Sequence, residues 1–432
     1  YNNWGNALYD LAQLKGDEKL FEASFEKYEK ATQIKDDDAV AYNNWGNALS
    51  DLAKLKGDEK LFEVSLEKYE KAIQINENDA VVYYNWGNAL YNLAKLKGDE
   101  KLFEASFEKY EKAIQLKEDY AAAYNNWGTA LSDLAKLKED EKLFEASFEK
   151  YKEATQIDKN NADAYYNWGS ALAYLAKLKG DEKLFEASLE KYEKAIQINE
   201  NDAVVYYNWG NALSDLAQLK GDEKLFEASF EKYEKATQIK EDYAVAYNNW
   251  GNALYDLAQL KGDEKLFEAS FEKYEKATQI KEDYAVAYNN WGNALSDLAK
   301  LKGDEKLFEV SFEKYEKATQ IKEDYAVAYN NWGYALFNLA NLRGSVKEDQ
   351  YVIKEKLLKV YSLDNTNGVY NLACLYSLLD EKDEALEWFE KALQNRECTR
   401  KYFEAEPDLD NLRQDLRFEE LLNKYRPLSK EK

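Results

Sequence analysis

The sequence contains no histidine among its 432 residues. Imidazole is the usual general base near neutral pH and a common zinc ligand, so its absence excludes nucleophile–histidine pairs and histidine-containing zinc sites. Cysteine is scarce too, because Cys374 and Cys398 are the only two, and two are too few for a disulfide framework. These absences argue against an enzyme, and we expect neither a cofactor nor catalytic or metal-binding residues.

Long apolar runs and a signal-peptide pattern are also missing. A membrane-spanning helix needs about 18 or more apolar residues in succession, so we expect no membrane span. The low cysteine content fits a reducing compartment, and we expect a cytoplasmic protein. The chain begins at Tyr1 inside a repeated motif and has no methionine, so we expect the natural protein to extend before this residue.

Positive charge is in short supply, because 59 lysines and arginines face 83 aspartates and glutamates, a net charge of −24. The resulting field repels phosphate backbones and anionic lipid headgroups, and it favours basic or neutral partners. We therefore expect neither nucleic acid nor a membrane surface as a partner. The acidity has a simpler explanation as well, since it keeps a long chain with a large surface soluble.

The spacing of tryptophan is the dominant regularity that is present. Nine tryptophans, from Trp4 to Trp332, follow one another at intervals of 41 residues without insertion or deletion. Self-similarity at a fixed period indicates a solenoid or an array of repeats. We predict eight 41-residue repeats in 1–328, a diverged ninth repeat in 329–368, a shorter unit in 369–398 and a helical cap in 399–432.

Each unit has the pattern of two amphipathic helices joined by a tight turn. In the first unit Gly16 can take the left-handed conformation that ends one helix, and Asp17 can cap the next helix. In the fourth unit Glu139 replaces this glycine. A residue other than glycine at a positive φ angle costs about 1 kcal/mol, so we expect strain at this turn.

One helical hairpin cannot bury so large an apolar face by itself, so neighbouring hairpins must stack. We expect Trp4 and its equivalents to be the buried side chains that hold the stack together. Gly5 is expected to let the second helix approach the first closely. The predicted fold is all-α, a right-handed superhelical solenoid of antiparallel helix pairs.

Several residues of the unit resemble the tetratricopeptide repeat pattern: Gly5, Ser24, Tyr28, Ala31 and Ile34. The unit differs from that family in its length, 41 residues instead of the usual 34. Residues 369–393 resemble a unit of standard length, with Ala373, Ala385, Phe389 and Ala392 at its small and aromatic positions. The resemblance implies a protein-binding scaffold whose first helices line a concave groove.

We use the word register for a set of equivalent positions 41 residues apart and name each register by its first member. The Asn3 register is asparagine in every unit and supplies these candidate groove residues: Asn44, Asn85, Asn126, Asn167, Asn208, Asn249 and Asn290. A primary amide both donates and accepts, so this ladder can pair with successive peptide bonds of an extended chain. Alternatively, each asparagine bonds to the backbone of its own repeat or the adjacent one.

Variation between otherwise near-identical units is concentrated in the Asn2, Asn6 and Tyr9 registers, which the resemblance also places in the groove. With the Asp10 register, they supply the remaining candidates: Tyr84, Tyr91, Tyr166, Tyr174, Tyr207, Asp133 and Asp215. Carboxylates in the groove repel an acidic ligand, so the expected partner is an extended basic or neutral peptide or protein segment. The variation is equally consistent with drift at solvent-facing positions.

Two functions remain open at this stage. The first is an interaction scaffold that binds such a segment in its groove. The alternative is a structural spacer or a self-associating rod, in which the uncapped N-terminal repeat packs end to end against another molecule. Acidic loops such as 36–38 lack the alternating ligand spacing and central glycine of a calcium loop, so we expect them to cap helices.

Overall fold

The computed structural model describes residues 1–364, 368–395 and 399–426, and every regular element in that part of the chain is helical. The chain divides into two compact units, Tyr1–Leu219 and Lys220–Lys432. Within each unit, consecutive helices pack as hairpins, and neighbouring hairpins pack against each other. The predicted all-α solenoid of helix pairs is therefore confirmed.

The first helices of the repeats are α1 Asn2–Lys15, α3 Ala39–Lys56, α5 Ala80–Lys97, α7 Ala121–Lys138, α9 Ala162–Lys179, α11 Ala203–Lys220, α13 Ala244–Lys261, α15 Ala285–Lys302 and α17 Ala326–Arg343. The second helices are α2 Glu18–Ile34, α4 Glu59–Ile75, α6 Glu100–Leu116, α8 Glu141–Ile157, α10 Glu182–Ile198, α12 Glu223–Ile239, α14 Glu264–Ile280, α16 Glu305–Ile321 and α18 Val346–Leu363. The chain continues with α19 Val369–Leu378, α20 Lys382–Gln394, α21 Arg400–Ala405, a 3-10 turn at Pro407–Leu409, α22 Asp410–Arg413 and α23 Leu416–Tyr425.

The turn inside each of the first eight hairpins has the predicted chemistry, whereas the helices α18 and α20 begin without a side-chain cap. Gly57 has a φ angle of 63°, and its N–H donates to the Ala53 carbonyl, which closes α3. The Asp58 side chain then accepts from the backbone N–H of Lys60 at 2.9 Å and caps α4. Glu139 takes the same left-handed conformation with a φ angle of 52°, so the fourth repeat has the expected non-glycine residue at a positive φ angle.

The loops between hairpins differ from the prediction in part. Asp38 and Asp79 cap their first helices through side-chain hydrogen bonds, as expected. In repeats with the sequence Glu-Asp-Tyr, however, the residue before the helix is a tyrosine such as Tyr120, whose side chain makes no capping bond. The centroid of the Tyr120 ring instead lies 5.0 Å from that of Tyr84. At this helix start, packing between two rings takes the place of a side-chain capping hydrogen bond.

The core of each of the first eight hairpins is built around the tyrosine of the Tyr28 register, which includes the largest fully buried side chains among the described residues. The tyrosine ring lies directly on the glycine of the first helix. A Cβ atom on Gly87 would be 2.7 Å from the nearest ring atom of Tyr110, closer than any real contact of this kind. The close approach predicted for the Gly5 register is therefore confirmed.

The prediction that the tryptophans are the buried side chains that hold the stack together is wrong about their burial, although they pack against clusters that join neighbouring repeats. Trp127 and its equivalents are half-buried, and Trp4 is 57% exposed. A lysine from the second helix of the same repeat covers the outer face of each indole, and the Nζ atom of Lys150 lies 3.7 Å from the ring centroid of Trp127. The tryptophan therefore packs at the edge of the core under an amphipathic lysine stem.

The C-terminal elements form a separate apolar cluster within the second unit. Phe389 of α20 stacks on Phe418 of α23 with their ring centroids 4.6 Å apart. Cys374 is a buried free thiol in this cluster, and Cys398 lies outside the described residues. In the part of the chain that the structure describes, no helix has the length and apolar character needed to cross a bilayer.

Candidate groove on the first helices

A cavity of about 300 Å³ lies across α3, α5 and α7 in the unit Tyr1–Leu219. Its lining is mostly amide and hydroxyl side chains: Asn47, Ser50, Asp51, Lys54, Tyr69, Asn85, Asn88, Tyr91, Asn92, Asn126 and Thr129. Three of the sequence-predicted candidates, Asn85, Tyr91 and Asn126, therefore meet in one place. The remaining candidates lie outside this cavity.

The Nδ2 atoms of the asparagine ladder donate hydrogen bonds within the protein. The Nδ2 atom of Asn44 donates to Asn2 and Asn6, and that of Asn85 donates to Asn43 at 3.1 Å. The same bond recurs further along, where Asn167 donates to Asn125 of the preceding repeat at 3.1 Å. These amides link neighbouring repeats through side chains. The alternative considered from the sequence, a bond to backbone, occurs at Asn208, which also donates to the Val204 carbonyl of its own helix at 2.9 Å.

The Asn2 register supplies the acceptors and explains why both asparagine and tyrosine occur there. Asn126 donates to the Tyr84 hydroxyl at 3.0 Å, and Asn208 donates to the Tyr166 hydroxyl at 3.2 Å. A phenol oxygen and an amide oxygen are equally able to accept this bond. The interchange of Asn and Tyr therefore preserves the link between repeats.

The residue in the Asn2 register also decides whether the ladder amide has a free acceptor. Asn125 donates to the Oδ1 atom of Asn126 at 3.1 Å, so this amide is engaged on both sides. In repeats with tyrosine at that position, no such donor exists. Within the described residues, the Oδ1 atoms of Asn85, Asn167 and Asn208 accept no hydrogen bond.

The floor of the cavity is fixed from below by the core. The Tyr69 hydroxyl donates to Asn47 at 2.7 Å, and the Tyr110 hydroxyl donates to Asn88 at 2.9 Å. Asn88 in turn accepts from Asn126 of the next repeat at 2.9 Å. The polar lining is therefore tied to buried tyrosines, which limits its movement.

Asp133 lies beside the cavity in a network of opposite charges. Its carboxylate accepts from the Tyr91 hydroxyl at 2.6 Å and lies 3.0 Å from Lys95 and 3.1 Å from Lys136. Burial opposes ionisation, but Lys136, the Tyr91 hydroxyl and Lys95 together hold the pKa of Asp133 below its usual value. Burial and the nearby Asp133 carboxylate raise the pKa of Tyr91, so its hydroxyl remains a donor.

Two more candidates lie on α9 of the same unit. Tyr166 packs against Tyr192 with ring centroids 6.3 Å apart, and burial raises its pKa. Tyr174 is 40% exposed and stacks on Phe144 at 5.7 Å, and the Nζ atom of Lys136 lies 5.7 Å from the centroid of the Tyr174 ring.

The candidates on α11 are half-buried, as Tyr207 and Asp215 show. Asp215 forms an ion pair with Lys177 at 2.8 Å. Asn249 and Asn290 belong to the second unit. Asn290 donates to Asn248 and Asn252 at 3.2 Å and 3.1 Å, and Asn249 accepts from Asn248 at 3.0 Å.

The lysines of the Gln13 register were missed by the sequence reasoning. Lys54 lines the cavity, Lys95 and Lys136 contact Asp133, and Lys177 contacts Asp215. They lie three residues after the acidic position, one helical turn further along the same face, so helical spacing alone could have revealed them. The first helices are therefore less acidic on this side than the carboxylates alone suggested.

Among the residues that the structure describes, no group of three or more cysteine, aspartate or glutamate side chains is arranged to hold a metal ion. The cavity lining combines amides and hydroxyls with one carboxylate, Asp51, and one ammonium group, Lys54. Its chemistry is that of hydrogen-bond donors and acceptors, which suits binding.

Comparison with known families gives the class of the protein. Residues 39–76, 121–158 and 244–278 match one tetratricopeptide repeat model, and residues 368–397 match a second. The chain is a tetratricopeptide-like repeat protein. Repeats of this family bind proteins or peptides and are typically non-enzymatic, so the chain is a protein-interaction scaffold.

Several solved structures are similar to the chain, whereas no curated protein matches it. YrrB, described as a TPR protein with an unusual peptide-binding site, is 22% identical with a TM-score of 0.36, over 51% of this chain and 95% of its own. The C-terminal part of a TPR repeat-containing protein from Cytophaga hutchinsonii is 15% identical with a TM-score of 0.46, over 65% and 97%. Yeast Tom70 is 14% identical with a TM-score of 0.46, over 92% and 93%.

Proposed function

We propose that the chain binds an extended, non-acidic peptide or protein segment along its first helices, with the cavity across α3, α5 and α7 as one contact point. The observation that carries the proposal is the set of free polar atoms at this cavity. Asn85 has an Oδ1 atom without a donor, and the side-chain amide of Asn92 makes no hydrogen bond to any described residue. An extended peptide supplies N–H and C=O groups that pair with such amides.

The ladder has a narrower role in this proposal than the sequence suggested. Asn44, Asn126 and Asn290 use their amides to join repeats, so they shape the surface. Asn167 and Asn208 have free Oδ1 atoms and are the further positions where a peptide N–H can donate. With Asn85, these positions lie in the third, fifth and sixth repeats, so a ligand would contact the surface at intervals of one or two repeats.

The charges in the cavity favour a neutral ligand segment. Asp51 and Lys54 line it together, and the Asp51 carboxylate already accepts from the Tyr9 hydroxyl at 2.6 Å. A local pair of opposite charges attracts neither sign strongly, whereas the net charge of −24 repels acidic chains at longer range. The proposed partner is therefore neutral or basic. The low cysteine content is the reason for proposing the cytoplasm as the location of this chain.

Selection from a display library of random dodecapeptides on the full chain tests the proposal. A selected peptide is then labelled, and its affinity for variants is measured by fluorescence polarisation. Asn92→Ala removes a free amide without breaking an internal bond, and we expect about fivefold weaker binding, the loss of about one hydrogen bond. Asn85→Ala should weaken binding by a similar factor.

The matched control is Gln74→Ala, which removes an exposed amide from the second helix α4 and should leave the affinity unchanged. Circular dichroism must show equal helicity for all variants. Peptides that bind equally well to all of them would place the binding surface elsewhere. A selected consensus rich in aspartate or glutamate would contradict the proposed charge preference.

Self-association is the second candidate, and the exposed apolar side chains of α1 favour it. Trp4 is 57% exposed and Leu14 is 83% exposed, whereas the equivalent Trp45 is half-buried against the core of the preceding helix pair. Light scattering over a range of concentrations separates the two candidates. A mass that stays monomeric at every concentration argues against a rod formed by this chain.

A further inference from the structure

A second cavity, of about 290 Å³, lies in the unit Lys220–Lys432, between α17, α19 and the segment that contains α21 and the 3-10 turn. Phe337 and Leu357 form its apolar part. Amides line one wall, where Asn371 donates to Asn330 at 2.9 Å. The volume is at the lower limit for ligand pockets, so it suits one side chain or one chain end.

Tyrosine rings line another part of this cavity. Tyr334, Tyr370 and Tyr402 all contribute, and the rings of Tyr370 and Tyr402 lie 5.6 Å apart. Tyr334 and Tyr402 are 41% and 47% exposed, so part of each side chain is accessible from solvent. The electron-rich face of an aromatic ring attracts a cation such as an ammonium group.

Two carboxylates lie next to these rings. Glu406 is held by the Tyr370 hydroxyl, which donates to it at 2.6 Å. Asp408 is half-buried, and no donor in the described part of the chain reaches its carboxylate. Burial and the neighbouring Glu406 raise the pKa of Asp408, although Lys300 acts in the opposite direction. A partly desolvated carboxylate without a donor lacks a positive partner.

Within the described residues, no lysine or arginine forms an ion pair with the Asp408 carboxylate. Lys300 lies beside the cavity, with its Nζ atom 5.8 Å from the ring centroid of Tyr334. Arg413 is engaged elsewhere, since it pairs with Asp410 and donates to the backbone carbonyl of Glu406. Two carboxylates therefore face one exposed lysine, and the cavity has an excess of negative charge.

We propose that this cavity binds an alkylammonium group of a partner, supplied by a lysine side chain or by the amino terminus of a peptide. The carboxylates of Glu406 and Asp408 provide charge, the tyrosine rings provide cation–π contact, and Phe337 with Leu357 receives the methylene chain. The site lies in the second unit and is independent of the groove proposed on α3, α5 and α7.

Small blocked probes on the full chain test the site by ligand-observed NMR titration. N-acetyl-lysine N-methylamide presents only a side-chain ammonium, and glycylglycine amide presents only a terminal one. N-acetyl-norleucine N-methylamide is the uncharged match for the first probe. We expect at least one ammonium probe to bind more tightly than the norleucine probe, and the stronger of the two identifies the source of the group.

Variants with opposite expected effects then locate the binding. Asp408→Asn retains the shape and removes one charge, so we expect about fivefold weaker binding of the ammonium probe. Lys300→Gln removes the competing cation and should strengthen binding by a similar factor. Glu420→Gln removes an exposed carboxylate from α23, outside the cavity, and should change nothing.

Circular dichroism must show that each variant is folded as the parent chain is. Equal binding of the lysine and norleucine probes would overturn the proposal, and so would the absence of binding by both ammonium probes. The proposal also fails if Asp408→Asn and Glu420→Gln have the same effect on affinity. A weakening caused by Lys300→Gln would show that this lysine is part of the site and that the assigned charge balance is wrong.

Discussion

Asn85 and Asn126 occupy the same position in two successive repeats. The Oδ1 atom of Asn85 is free to accept a hydrogen bond, whereas that of Asn126 already accepts one. The difference comes from one neighbouring residue. Asn125 donates to the Oδ1 atom of Asn126, whereas Tyr84 precedes Asn85 and offers it no such bond. At the scale of a residue, the variable Asn2 register therefore controls which ladder positions remain able to accept a hydrogen bond.

The turn of the fourth repeat gives a prediction at the same scale. Glu139 has a φ angle of 52°, a conformation that glycine adopts without strain. We expect Glu139→Gly to raise the free energy of unfolding by about 1 kcal/mol. Urea denaturation of the full chain, followed by circular dichroism, measures the change.

The reverse substitution in the preceding repeat is the matched control. Gly98 has a φ angle of 63°, and no heavy atom lies within 4 Å of the place where its Cβ would be. Gly98→Glu should therefore lower stability through backbone strain alone, by about the same amount. If Glu139→Gly is neutral or destabilising, the left-handed turn is not the source of strain.

Much at the residue scale could be read from the sequence. The helix-ending glycines, the capping aspartates and the strain at Glu139 all follow from local rules that need no tertiary information. The partners of the ladder amides could not be predicted, because an amide offers the same donors to a ligand, to backbone or to a neighbouring side chain. Only the distance between adjacent first helices decides among these partners.

At the scale of the helical hairpin, tyrosine and not tryptophan fills the interior. Tyr192 is 1% exposed, whereas Trp168 is half-buried and covered by Lys191 at 4.6 Å. The sequence predicted both as apolar-face residues, because both recur at helical spacing. It could not show that a lysine stem from the second helix would shield the indole and so let it sit at the edge.

The two aromatic positions can be compared directly by mutation. Tyr192→Ala empties a sealed interior site, and we expect it to lower stability by about 3–5 kcal/mol. Trp168→Ala should cost less, about 1–3 kcal/mol, because the remaining lysine stem and solvent can fill part of the space. Urea denaturation of both variants gives the order of the two losses.

Tyr192→Phe serves as the control, since it removes only the hydroxyl that donates to Ser170 at 3.2 Å. Its loss should be about 1 kcal/mol. A larger loss for Trp168→Ala than for Tyr192→Ala would restore the indole as the main interior contact.

At the scale of the whole molecule, titration behaviour follows from composition and burial together. Histidine is absent, so no side chain of that type changes charge near neutral pH. Ionisation of the core tyrosines instead makes the stability of the fold depend strongly on pH in the alkaline range. Burial raises the pKa of Tyr69, Tyr110, Tyr274 and Tyr315 well above the usual value of a phenol.

The chain should therefore unfold in alkali. A phenol ionises near pH 10 in the unfolded chain, but its folded pKa is higher, so the unfolded state loses protons first. The stability from these tyrosines is complete below about pH 10 and is lost as the pH rises above it. Tyrosinate absorbance near 295 nm and helicity should change together; tyrosinate that appears while helicity stays constant would show that the phenols are accessible in the folded state.

The hydrogen bond between ladder amides and the preceding repeat has a consequence for how such a gene can change. Each asparagine of the Asn3 register requires only an oxygen acceptor one repeat earlier, and either Asn or Tyr satisfies it, as Asn43 and Tyr84 show. A repeat with either residue can thus precede another repeat without leaving this asparagine amide without an acceptor. Whole 41-residue repeats can be gained or lost by recombination, and the array can change its length while the hydrogen bonds between adjacent repeats are retained.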